Sequence, residues 1–244
     1  MQMRGRTAVV TGGTRNLGRC IVEAFLREGA QVIAAGRDPE PIGDLLAGSD
    51  QVAFYPVDVR NALSVEEMLA AAADHFGGID VVVANAGVSR PGRVEGLAEP
   101  DWTETFDTNV HGTFRTVKAA VPYLEKAGGG RIITLSSALG SRVAPGAAGY
   151  CASKAAIEML TRVAAIELAD RAITVNCLSP GLIDEGMGRS LAQTQPVWDK
   201  YRPKLASGRL GTGAEVAEAA VFLAGGASSY VNGHVLEVNG GLDW

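Results

Sequence analysis

Short runs of β-branched and apolar residues alternate along the chain with longer stretches whose apolar positions recur every three or four residues. The runs at Thr7–Thr11, 32–35, 52–55, Val81–Ala84, 131–135, 173–176 and Val235–Val238 read as strands. Most are apolar throughout, the pattern of parallel strands covered on both faces. The stretches 17–28, 64–76, 101–127, 150–169 and 213–224 read as helices; Ile21 and Phe25 share one face of the first. Ser64 followed by Glu67 has capping-box spacing at the second of these helices. Strand and helix in alternation predict an α/β fold with a doubly wound parallel sheet and helices on both faces. No linker, composition shift or repeat divides residues 1–244, so they read as a single domain. The least regular segment, 182–212, carries Met187, Leu191, Trp198, Tyr201 and Leu205 among Gly and Pro, the composition of a substrate lid or of a plain surface excursion.

Composition narrows the function classes. The chain has 244 residues, 47% hydrophobic and 20% charged, enough to bury a substantial core and too apolar for disorder. Its net charge of −5 leaves no basic excess to neutralise phosphates, so no nucleic-acid partner is expected. Three scattered cysteines, Cys20, Cys151 and Cys177, suit a reducing cytosol rather than a disulfide framework. None of His75, His111 and His234 is spaced at i,i+4 from another, and no metal is expected. The first residues are too short an apolar stretch for a signal peptide. The longest uncharged run, 219–236, is broken by Gly, Ser and Asn, so the reading is a cytoplasmic protein without a membrane span.

The candidate chemistry lies at two places. Directly after the first strand come Gly12, Gly13, Thr14, Arg15, Asn16, Leu17 and Gly18, opening a helix. Glycines at a strand–turn–helix junction let backbone N–H groups reach a pyrophosphate at the positive helix end, which makes the sheet a Rossmann-type one. At the end of the second strand, NAD sites carry a carboxylate for the ribose hydroxyls. Here Gly36 stands at that place, Arg37 follows, and Asp38 comes one position late. Arg37 and Arg15 together suit a 2′-phosphate, so NADP(H) is the expected cofactor.

The second place is Tyr150 and Lys154, four apart on one helix face. Lowering a phenol pKa by about three units takes roughly 4 kcal/mol. One ammonium about 4 Å away at an effective dielectric of about 20 supplies that much. Ser137, just past the strand ending at Leu135, can donate a hydrogen bond to a substrate carbonyl.

These residues, in this order, resemble the short-chain dehydrogenase/reductase family, in its compact branch of about 250 residues. The likeness runs from Thr7 to Gly241. Thr11-Gly12 to Gly18 resembles the family's TGxxxGxG loop, and Asn85-Ala86-Gly87 its NAG motif. Asn109, Ser137, Tyr150 and Lys154 match its catalytic tetrad, and Pro180-Gly181 its PG motif beneath the nicotinamide. The resemblance implies that Asp58 contacts the adenine, with Val59 beside it, and that Ile183 offers a backbone contact. It implies Tyr150 as proton donor or acceptor, Ser137 as the group orienting the carbonyl, and Lys154 on the nicotinamide ribose. Asn109 would hold a relay water. Two positions depart from the pattern: Asn16 replaces the middle glycine, and Glu185 stands where a threonine is usual. The implied reaction is a reversible hydride transfer between NADP(H) and a small-molecule secondary alcohol or ketone. The 3-oxoacyl thioester reductases are the most similar group, with Arg171 at a carrier-protein position and Gly128 replacing its basic neighbour. A dehydrogenase of another small alcohol, sugar or steroid-like substrate, and a non-catalytic NADP-binding sensor, are the other readings. Small and apolar residues on the helices at 101–127 and 150–169 go with a homo-oligomer, a tetramer or dimer.

Overall fold

The computed structural model describes residues 1–243. The apolar runs form seven strands, β1 (Thr7–Thr11), β2 (Gln31–Gly36), β3 (Val52–Pro56), β4 (Val81–Ala84), β5 (Gly130–Leu135), β6 (Ile173–Pro180) and β7 (Val235–Val238). All pair in parallel, in the order β3-β2-β1-β4-β5-β6-β7. The order reverses between β1 and β4, and in doubly wound sheets ligands bind outside the carboxyl ends of strands at such a point.

Side-chain alternation divides the sheet's residues between two cores. Ala8, Val10, Val32, Val83 and Leu178 join α1 (Asn16–Arg27) and α9 (Gly213–Ala224) on one face. Val9, Ile33, Val82, Ile132 and Val175 join α3 (Ala62–Phe76), α5 (Gly112–Lys126) and α6 (Ala148–Glu167) on the other. Both faces are covered, which explains strands apolar at successive positions.

Two features differ from the sequence reading. The helix expected over 101–127 is two, α4 (Glu99–Phe106) and α5, joined by a π-helical turn at Asp107–His111. His111 is exposed on that turn, with Nδ1 3.2 Å from Asp107 Oδ1. The cap of α3 is Asn61, whose carbonyl oxygen accepts from Leu63 and Ser64 N–H, while the Ser64 hydroxyl accepts from Asp58 N–H. A complete capping box occurs instead at α9, between Thr212 and Glu215.

The segment 182–212 is more regular than its composition indicates. It folds into α7 (Gly186–Ala192) and α8 (Gln195–Tyr201), with Trp198, Leu182 and Leu210 packed against a small cluster of Ala138, Leu205 and Leu242. The chain's last described residues pair with its end: Leu205 bridges Leu242, Ala206 N–H donates to Gly241 O, and Asp243 N–H to Lys204 O.

Candidate active site

The turn after β1 is built by close backbone approach. A Cβ on Gly18 would lie 2.0 Å from Gly12 O and 2.6 Å from Asn85 Nδ2, so only glycine fits there. Asn16 adopts φ +49°, the left-handed conformation that asparagine tolerates better than most residues, and the turn survives the loss of its middle glycine. Arg15 is the extended N-cap residue of α1, no acid occupies the first turn, and no side chain caps it. Its positive helix end therefore faces outward with its N–H groups free of a side-chain cap. Thr14 is buried, and a Cβ on Gly36 would lie 3.0 Å from its Oγ1, so an acidic side chain at 36 would displace Thr14. Arg15 and Arg37 are exposed, and their side chains make no hydrogen bond or ion pair among the described residues.

The other residues expected at a nucleotide are mostly committed to holding this edge together. Asn85 donates through Nδ2 to Thr11 O at 2.9 Å and Gly12 O at 3.2 Å, pinning β4 to the turn. Ala86 N–H donates to Thr11 Oγ1. Asp58 is held by a fork from Arg60, at 2.9 and 2.7 Å, which keeps its carboxyl below the usual range. Val59 is buried against Gly112. Pro180 ends β6, Gly181 N–H donates to Val238 O, and Ile183 bridges Gly211. Glu185 turns to Arg189, 3.1 Å away. Leu17 packs against the α1 face of the core.

These parts fit the expected dinucleotide: a glycine turn, a helix end without a side-chain cap, and two exposed arginines without side-chain partners at the ends of β1 and β2. A Cβ on Gly87 would lie 3.3 Å from Asn109 Oδ1 and 3.6 Å from Lys154 Nζ, so a glycine there leaves open the space beside both.

The chemical groups come from β5, α6 and the π-helical turn. Ser137 leaves β5 in extended conformation; its hydroxyl accepts from Leu139 N–H at 3.2 Å and stands near enough to the Tyr150 phenol to pull its pKa down. Lys154, one helical turn on, is buried and donates from Nζ to Leu135 O at 2.7 Å, with Nζ 5.5 Å from the Tyr150 ring centroid. Asn109, fully buried, donates from Nδ2 to Val88 O at 2.9 Å and Ser153 Oγ at 3.0 Å, and accepts from Val88 N–H at 2.8 Å. The tetrad is thus assembled from residues up to 45 positions apart.

The electrostatics correct one expectation. Burial pushes the Tyr150 phenol up to about 12, opposed by the nearby Ser137 hydroxyl, and pushes Lys154 down to about 8. Within the protein alone, loss of water is the dominant influence on the phenol, and the Lys154 ammonium is bonded to Leu135 O.

Two residues of this corner escaped the sequence reading. Ser136 and Glu158 are buried, and Ser136 Oγ donates to Glu158 Oε1 at 2.9 Å. The signal was present: Tyr150, Lys154 and Glu158 step by four along one helix, so a third polar group faces the sheet.

A doubly wound sheet that brings a buried lysine, a phenol and a serine to its carboxyl edge is the frame of an oxidoreductase working on alcohol or keto groups. The family model described as enoyl-(acyl carrier protein) reductase matches residues 12–243, and the chain belongs to the short-chain dehydrogenase/reductase family. It is 35% identical over 245 residues to the 3-oxoacyl-(acyl-carrier-protein) reductase FabG of Vibrio cholerae, covering 99% of each chain. It is 32% identical to the 2,5-dichloro-2,5-cyclohexadiene-1,4-diol dehydrogenase LinX of Sphingobium indicum, over 98% of this chain and 97% of that one. The crystal structure of levodione reductase matches at 26% identity and a TM-score of 0.93, covering 98% of both chains. No helix among the described residues is long and apolar enough to cross a membrane.

Proposed function

We propose that the protein is a cytoplasmic NADP(H)-dependent oxidoreductase that interconverts a ketone and its secondary alcohol. The observation that carries this reading is the buried Lys154 ammonium 5.5 Å from the Tyr150 ring, with Ser137 at the end of the neighbouring strand, on the carboxyl side of the sheet. Gly12 to Gly18, Asn85 to Gly87, Pro180, Gly181 and Ile183 would line the dinucleotide, and Arg15 and Arg37 would take its 2′-phosphate. When bound, the nicotinamide supplies or accepts the hydride and, oxidised, a positive charge near the phenol.

The chain's own groups handle the oxygen and its proton. In the reducing direction Tyr150 Oη gives its proton to the carbonyl oxygen while Ser137 holds that oxygen by a hydrogen bond. A phenol held up to about 12 keeps its proton but gives it up reluctantly, so the positive charge of an oxidised nicotinamide would be needed to bring it down. In the oxidising direction the same phenol takes the proton back. Lys154, bonded to Leu135 O, would hold the nicotinamide ribose with its remaining N–H groups. Because the Asn109 side chain is committed to Val88 and Ser153, a relay water falls to its main chain.

The FabG relatives favour a 3-oxoacyl thioester as substrate. A second reading, a small free alcohol or ketone, is favoured by Arg171, which pairs with Glu125 at 3.2 Å, and by glycine at 128: little basic surface is left there for an acidic carrier. The segment 182–212 serves as the lid in either case. Exposed Met159, Val163 and Ile166 form a stripe along α6, with Phe114 on α5, the faces expected to bury in a homo-oligomer. Light scattering checks this: a dimer or tetramer is expected, and a strict monomer refutes it.

The central test is NADPH oxidation over a panel of ketones and 3-oxoacyl thioesters with Tyr150→Phe alongside. The variant is expected to lose about 10²–10⁴-fold in rate while nucleotide affinity stays within about twofold. Equal rates in the two proteins would remove Tyr150 from the reaction.

A further inference from the structure

A carboxyl group lies beneath the catalytic corner with no part in the steps above. Glu158 is 5% exposed, on the turn of α6 after Lys154. Burying a carboxyl is costly unless its oxygens find partners. Its partners here are specific to one place. Oε1 accepts from the Ser136 hydroxyl at 2.9 Å. The same oxygen meets the turn Ala138–Gly140, where a Cβ on Gly140 would lie 2.3 Å from it and 2.6 Å from Ser136 Oγ. Arg162, half exposed, approaches the other oxygen only to 3.8 Å.

What this contact holds is the peptide corner carrying Ser137. Ser136 N–H is bonded to Leu178 O at 2.8 Å, so its backbone is tied to β6 while its side chain is tied to α6. Directly after it, Ser137 O accepts from Gly140 N–H at 2.7 Å and Ser137 Oγ from Leu139 N–H at 3.2 Å. The turn that directs the Ser137 hydroxyl is therefore closed on one side by its own hydrogen bonds and on the other by the Glu158 carboxyl.

We propose that Glu158 is a positioning residue, whose hold on Ser136 and contact at Gly140 fix the corner that aims the Ser137 hydroxyl at Tyr150. This rests on the oxidoreductase reading for its consequence in turnover, not for the geometry itself. A misplacement of a positioned group by about 1 Å costs up to roughly 10²-fold in rate, so the effect is measurable.

The test compares Glu158→Gln and Glu158→Leu in the full chain. Steady-state kinetics with NADPH and a ketone are read alongside the thermal midpoint and backbone amide exchange at Leu139 and Gly140. Glutamine keeps an acceptor for Ser136 and is expected to stay within about threefold of the parent. Leucine is expected to lower kcat by about 10–100-fold with the KM for NADPH within about twofold, and to speed exchange at Leu139 and Gly140 by about tenfold or more while Ile133 is unchanged. Parent-like kcat and exchange in a folded leucine variant would overturn the proposal. So would a glutamine variant as impaired as leucine, or lost protection spread through β5 and α6. If the leucine variant does not fold, Ser136→Ala removes the same bond from the donor side; faster exchange at Leu139 and Gly140 supports the proposal and parent-like exchange overturns it. A parent chain that turns over no ketone would sink the oxidoreductase reading, whereas the exchange measurement still decides the positioning role.

Discussion

The two ends of the candidate site are built on opposite principles. At the β1–α1 turn the work is done by backbone and by missing side chains, with the cations Arg15 and Arg37 left exposed and unpaired among the described residues. At the β5–α6 corner it is done by side chains taken out of water: Lys154, Asn109, Ser136 and Glu158 are each 5% exposed or less. An exposed cation is solvated while it waits for a ligand and costs the fold little. A buried one is preorganised for chemistry and weighs on stability. Cofactor preference and chemistry are therefore under separate physical control, and substitutions at the two ends should separate stability from binding.

The largest expected effect is at the buried end. Folding lowers the Lys154 pKa from 10.5 to about 8, so between those values the folded chain binds fewer protons than the unfolded one and its stability rises with pH. Below about pH 8 the full cost of the buried ammonium is present. Lys154→Met removes it, at the loss of the bond to Leu135 O. The variant should be the more stable protein at pH 7, by up to about 3 kcal/mol, with the gap closing toward pH 10. Urea unfolding at several pH values measures it, and a gap that widens with pH would show that the lysine carries no such cost.

The smaller effect is at the exposed end. Arg37→Asp should weaken NADP binding by about 2 kcal/mol, roughly thirtyfold, and leave NAD binding and the thermal midpoint nearly unchanged. Titration calorimetry with both nucleotides decides it. Equal losses for the two would mean that Arg37 does not face the 2′-phosphate, and a large drop in midpoint would erase the contrast between the ends.

How much of this was legible in the sequence follows the range of the forces involved. All seven strands lie within a few residues of their expected places, because strand periodicity and apolar runs are local signals; the largest error is β6, which continues from 176 to Pro180. The glycine turn was equally legible, down to the left-handed Asn16. The break at Asp107–His111 was not, since Asn109 is bound to Val88, 21 positions away, and Ser153, 44 away. The cap of α3 was placed three residues late because Asn61 and Ser64 are both competent caps and the path of the incoming chain chooses between them. At the site, spacing placed Tyr150 and Lys154 on one helix face. It carried no information on where the ammonium would rest or how dry the corner would be, and so the direction of the phenol shift was missed.

The strand-like pairing of Leu205 with Leu242 has a practical corollary for anyone handling the protein. Leu242 is 4% exposed and shares a cluster with Ala138, the residue after Ser137. Trimming the chain back to Gly241, or forcing a bulky fusion onto this end, would strip a wall from the turn beside Ser137 as well as from the base of the 182–212 segment. Purification handles and immobilisation chemistry at the carboxyl terminus are therefore best given a long, flexible spacer.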